Sequence, residues 1–197
     1  MRLVTAVSFS LIGAAADDTH WGVQGDIGYA RLPGFVVDQI HDLPERPDIT
    51  GKTYGGGLVR FHGDGSPSFA LQYSRVDADL NGSLQSGHAT ATVGGMGTLQ
   101  GFLATKYFNF LSRRPASAGI ALGGGVGKLE ASYVRSVMLT DGRRFSDTTT
   151  YDQVVPMFEI LGQADIRAGR YFSVGPYGGF RNAMVVFGVS FRWHARR

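Results

Sequence analysis

The amino-acid sequence predicts an all-β chain: an eight-stranded antiparallel up-and-down transmembrane β-barrel behind an N-terminal signal peptide. Three observations predict it. The first is the closing stretch Ala183–Trp193 (AMVVFGVSFRW), where Val185, Phe187, Val189, Phe191 and Trp193 alternate with Gly188, Ser190 and Arg192. A strand has period two, so one face is wholly apolar and ends in aromatics while the other is polar and charged. That is the form of a lipid-facing strand with an interfacial girdle. The second is glycine: 29 of 197 residues, about twice the usual ~7%. Glycine weakens helices by about 1 kcal/mol each relative to alanine but suits sheets whose backbones approach closely. The third is hydropathy. The mean of -0.04 and the lack of any apolar run of about 18 residues exclude helical membrane spans. A barrel needs only half of each strand to be apolar, so the same values admit one.

Met1–Ala16 (MRLVTAVSFSLIGAAA) has a basic start, an apolar stretch from Leu3 to Gly13 and small residues before Asp17, the order of a secretory signal. Residues 17–197 then form one barrel domain. Trp21–Leu32 puts Trp21, Val23, Ile27 and Tyr29 on one face and Gln24 and Asp26 on the other, a first strand. Pro33–Gly51, rich in Pro, Asp and Glu, reads as a long loop. Lys52–His62 predicts a second strand in which Val59 and Phe61 oppose Arg60 and His62, with Arg60 facing inward and His62 solvated beside the turn, and Gly63–Pro67 a tight turn. Ser68–Val76 is a third strand, with Phe69, Leu71 and Tyr73 outward and Gln72 inward. Asp77–His88 reads as a loop of middling length.

Thr92–Phe108 holds the fourth strand, with Leu99, Leu103 and Tyr107 sharing a face, and Ser112–Ser117 is a short turn. In Ala118–Tyr133, the fifth, Ile120, Leu122 and Val126 agree but Lys128 and Glu130 fall on the same side, so either the span ends near Val126 or a bulge switches the faces. Thr140–Tyr151 reads as another long polar loop. Val154–Arg167 sets Phe158, Ile160, Ala164 and Ile166 against Glu159, Gln163, Asp165 and Arg167, the sixth strand. Tyr171–Phe180 is a glycine-interrupted seventh, and Arg181 and Asn182 form a short connection into the eighth.

Eight strands joined mostly by alternating long and short connections are the pattern of a bacterial outer-membrane barrel. On MRLVTAVSFSLIGAAA, WGVQGDIGYARL and FGVSFRW the chain resembles the small eight-stranded outer-membrane proteins similar to the OmpA-like transmembrane barrel family. The resemblance implies a bacterial outer-membrane location, contact with membrane lipid and lipopolysaccharide, and delivery by the outer-membrane assembly machinery. In two places the chain departs from the family. Such barrels end on an aromatic residue, whereas HARR follows Trp193 here, and no peptidoglycan-binding domain follows, so no anchoring role is implied.

Cysteine is absent, which removes thiolate metal sites, thiol catalysis and disulfides. The net charge of +3 comes from scattered basic residues, so no nucleic-acid partner is expected. GGVGKL at Gly124–Leu129 and GMGTLQG at Gly95–Gly101 lack the flanking residues and the following helix of a phosphate loop. Ser86 and His88, with Asp77 or Asp79, have the residue types of a lipid-modifying barrel enzyme, but such residues also populate loops for turn reasons. Asp38, His41, Asp42 and Glu45 match no standard cation site and read as a solvated acidic loop. No cofactor, metal or catalytic residue is therefore assigned.

Buried charges must be paired. The expected interior charge network is Asp26, Arg60, Glu159, Asp165, Arg167 and Arg192, with Asp26 near Arg192 and with Arg60 or Arg167 near Glu159 or Asp165. The expected lipid-interface aromatics are Trp21, Tyr29, Phe61, Tyr73, Tyr107, Phe158, Phe191 and Trp193. Eight strands enclose only enough room for side chains. The function predicted is a monomeric, non-enzymatic barrel that presents long surface loops over a plugged polar interior, with at most narrow permeation of small solutes. The alternatives are the barrel enzyme and a soluble lipocalin-like ligand-binding barrel, in which the apolar faces would point inward.

Overall fold

The computed structural model describes residues 19–33, 47–87, 89–113 and 115–194. The signal segment, Asp38, His41, Asp42, Glu45, His88, Arg114, Arg196 and Arg197 lie outside them. Eight strands follow in order: β1 (His20–Arg31), β2 (Asp48–Phe61), β3 (Pro67–Ser86), β4 (Ala89–Arg113), β5 (Ala116–Leu139), β6 (Arg144–Arg167), β7 (Phe172–Arg181) and β8 (Met184–His194). Each pairs antiparallel with the next, and β8 returns to β1 to close the ring. Trp193 opposite Val23 and Phe187 opposite Tyr29 fix the closing register.

Strand lengths divide the barrel in two. β1, β7 and β8 have 12, 10 and 11 residues, what a tilted strand needs to cross a bilayer. β3 to β6 have 20, 25, 24 and 24 and run on past them on one side. The stretches predicted as loops at Asp77–His88 and Thr140–Tyr151 are therefore mostly strand. Asp77–Ser86 continues β3 against β4 as far as Ala89, and only Thr140–Arg143 separates β5 from β6. A strand exposed on both faces carries polar residues as a loop does, and threonine favours strands, so polar composition alone does not tell the two apart. The result is a four-stranded upstand whose β6 residues 144–157 pair with β5 alone among the described residues.

At the opposite end the turns are tight and both described ends of the chain lie there. In the β2–β3 turn Gly65 has φ +79°, which glycine adopts at no steric cost. On the upstand side β7 and β8 meet in a two-residue turn at Asn182 and Ala183, with φ of 49° and 67°, the sign that a type I′ hairpin requires. The β5–β6 register runs unbroken from Ala116 to Met138. Lys128 and Glu130 therefore stay on the face of Ile120, Leu122 and Val126 with no bulge to turn them.

Candidate functional site

Inside the barrel, two charge clusters occupy the middle of the lumen. Arg181 ends β7 with its side chain 2% exposed. Its Nη2 lies 2.9 Å from Glu159 Oε2 and its Nη1 3.5 Å from Asp26 Oδ1. The same guanidinium donates to Thr53 Oγ1 at 3.0 Å and Ser74 Oγ at 2.9 Å. Glu159 Oε1 accepts from Gln72 Nε2 at 2.7 Å and Thr105 Oγ1 at 2.6 Å. In the second cluster Arg192 pairs with Asp165 and donates to Gln163 Oε1 at 2.7 Å and Gln24 Oε1 at 3.3 Å. Gln24 donates to Gln72 at 2.6 Å, and this bond joins the two clusters. Such charge-assisted bonds keep these ions inside without the full cost of desolvation.

Glycines on the lumen face make the room. A Cβ on Gly123 would meet Glu159 Cγ and Thr105 Oγ1, both at 2.7 Å, and one on Gly28 would meet the Tyr177 hydroxyl at 2.6 Å. Towards the upstand the lumen is filled by Ala30, Val76, Met184 and Val186, packed with Leu32 and Ile49. Towards the turns Phe61 stacks on the His194 ring at 4.0 Å between centroids. The cavity left among Gln24, Asp26, Gln72, Glu159, Arg181 and Arg192 is about 20 Å³, room for one water molecule.

The structure moves several residues from their expected places. Arg60 is on the outer face, where it donates to Thr19 Oγ1 at 3.1 Å, while Phe61 is fully buried inside; the predicted faces of β2 are exchanged. Tyr107 also points inward, donating to Gln24 Oε1 at 3.1 Å under the Arg192 guanidinium. The side chains beside it on β4, Phe102 and Phe108, are the outward ones, 68% and 53% exposed. Asp26 lies opposite Ser190 and meets Arg181, not Arg192. Arg167 sits at the turn end of β6, where its Nη2 donates to the Asp64 carbonyl at 2.8 Å, away from Glu159. Glu159, Asp165 and Arg192 lie in the lumen, and Trp21, Tyr29, Tyr73, Phe158, Phe191 and Trp193 lie on the outer face.

Arg181 and His194 are among the interior residues that sequence reasoning does not find. Arg181 was assigned to a connection, although Ser173, Tyr177 and Arg181 share the parity that opposes Phe172, Val174 and Phe180. His194, in the HARR segment that follows Trp193, is buried, with Nε2 3.2 Å from Ser173 Oγ and Nδ1 3.5 Å from His20 Nε2. This Ser–His contact has a histidine, not a carboxylate, at Nδ1, so it lacks the orienting acid of a hydrolytic triad. Ser86 stands at the far end of β3, nine residues and roughly 30 Å of extended chain from Asp77. Asp77 is held by Tyr54, Arg75 and Thr98.

The outer face is apolar around the ring. Val23, Ile27, Leu58, Leu71, Phe102, Ile120, Val126, Phe158, Phe180 and Phe187 are all exposed, and they come from all eight strands. Tyr29 meets Phe187 at 5.6 Å and Tyr171 stacks on Trp193 at 6.2 Å, aromatic pairs at the two edges of the belt. Above it, on the upstand side, charged pairs begin with Arg75–Asp77 at 2.8 Å and Lys128–Asp152 at 3.2 Å.

A small closed barrel with ion pairs inside and an exposed apolar belt outside is thus the class of protein that fold and surface define. No protein-family model and no curated protein matches the chain. Among solved structures it is similar to the crystal structure of Neisserial surface protein A, at 14% identity and a TM-score of 0.45 over 89% of this chain and 97% of that one.

Proposed function

We propose that the chain is a non-enzymatic bacterial outer-membrane barrel that keeps its lumen shut and presents the four-stranded upstand at the cell surface. The observation that carries this reading is the inversion of the faces: an exposed apolar belt on every strand around a lumen holding Arg181, Glu159, Asp165 and Arg192. A soluble barrel with these faces would expose far more than the few hundred Å² of contiguous apolar surface usual for monomers. In a bilayer the same surface is solvated by acyl chains. Short turns on one side and tall hairpins on the other orient the barrel with its turns toward the periplasm. What it displays is mostly paired sheet from β3 to β6, where the sequence predicts long loops. Membrane lipid and lipopolysaccharide are its surroundings, the outer-membrane assembly machinery its route, and a monomer its state in this reading.

The test is extraction of the expressed protein. It is expected to leave the membrane fraction only with detergent and to migrate faster on a gel when unboiled. Recovery of folded protein in buffer without detergent would overturn the reading.

A further inference from the structure

One exterior row breaks the charge pattern of the belt. Across the sheet, Trp21 lies opposite Arg60, Arg60 opposite Phe69, Phe69 opposite Lys106, and Lys106 opposite Leu122. All of them point outward, and Phe108 and Phe110 lie below Lys106 on the same strand face. Two cations thus stand on an otherwise apolar surface on the turn side of the belt, two strand spacings or roughly 10 Å apart. On the upstand side Arg31, Arg75 and Lys128 each pair with a carboxylate, while Lys52, exposed on the same outer face, enters none of these pairs. Arg60 and Lys106 enter none of the ion pairs among the described residues. A cation on a lipid-facing surface costs up to about 2–4 kcal/mol at the midplane and little at an interface, so the two charges settle at the headgroup level, where lipid phosphates lie.

We propose that Arg60 and Lys106 clamp between them, across β3, the phosphate of an anionic phospholipid of the turn-side leaflet; this rests on the membrane-spanning reading above. Both side chains lay their methylenes along apolar neighbours and carry the charge toward the interface. The next outward residues up these strands, Leu58, Leu71 and Ala104, form one row. They supply the apolar wall along which an acyl chain runs. Charge complementarity selects a lipid of net negative charge, since a zwitterionic headgroup brings its own cation to a site that already holds two.

The chain carries its own reporter. Its only tryptophans are Trp21 and Trp193, and Trp21 is the direct cross-strand neighbour of Arg60. The full chain, as Trp193→Phe, is reconstituted in vesicles containing either phosphatidylglycerol or phosphatidylcholine brominated near the glycerol end of the acyl chain, at equal mole fraction. Trp21 is expected to be quenched preferentially by the glycerol lipid, with an apparent selectivity approaching five-fold per cation. Lys106→Gln with Arg60→Gln should bring the selectivity to unity, and Lys106→Arg should keep it. Equal quenching by both lipids, or selectivity that survives the double glutamine variant, overturns the clamp and leaves the barrel's membrane location standing. Failure of the protein to float with vesicles at all overturns the spanning reading, and the clamp with it.

Discussion

Arg181 shows what a single buried side chain does for this barrel. It neutralises Glu159 and Asp26 at once and donates to Thr53 and Ser74. Removing it leaves carboxylates with no cation in a dry lumen, so Arg181→Ala is expected to cost about 3–5 kcal/mol, measured by urea unfolding in detergent micelles. Adding Glu159→Met to that variant should recover part of the loss. Asp64, in the β2–β3 turn, provides a pH handle outside the spanning strands. Burial alone would raise its pKa, but bonds from the Ser112 hydroxyl and from the Ser66 amide and hydroxyl outweigh that and hold it below the ordinary 3.8. Its stabilising effect is therefore complete above that ordinary value and is lost as the pH falls through the lowered one. Asp64→Asn should flatten the drop in unfolding temperature seen between about pH 5 and pH 2. Glu159, Asp165 and Arg192 stand out in the sequence because each opposes an all-apolar face, whereas Arg167, in the same pattern, is drawn to the turn by the Asp64 carbonyl. Arg181 was not, because the glycines before it hide the alternation.

At the level of elements, β4 explains why faces were misjudged. Its inward side carries Leu103 and Tyr107 and its outward side Phe102, Lys106 and Phe108, so hydrophobicity alone does not say which side is which. In β2 the one outward arginine drew Phe61 to the wrong side. The assignment has a direct check. Phe102→Arg, in the belt, should lower stability in lipid by about 2–4 kcal/mol, while Met96→Arg, on the same face within the upstand, should stay within about 0.5 kcal/mol. Equal effects would place the belt elsewhere. The β7–β8 hairpin offers a gain: Ala183 at φ 67° holds a conformation that costs a residue with a Cβ roughly 1 kcal/mol. Ala183→Gly should raise the thermal midpoint, read by loss of the fast-migrating band on heating.

For the molecule as a whole, the eight-strand count, the antiparallel order and the closure between the first and last strands were readable in the sequence, since each depends on period-two patterning and turn residues. The height of the upstand was not, because polar residues mark solvent whether the chain there is looped or extended. With about 20 Å³ left among its ions, the lumen should pass no steady current when the protein is inserted in a planar bilayer. A stable conductance step would show that the plug opens.

The flank of β6 that no other described strand covers has one more consequence. Phe158 directs its amide and carbonyl toward Asn182 of the β7–β8 turn. Alternation along the strand then points the nitrogen of Pro156 the same way, just past the last β7 partner. A proline there has no hydrogen to offer. Any foreign strand that zips down the upstand meets a missing rung where the upstand joins the apolar belt. The barrel is thereby guarded against acquiring a ninth stave and prised seams.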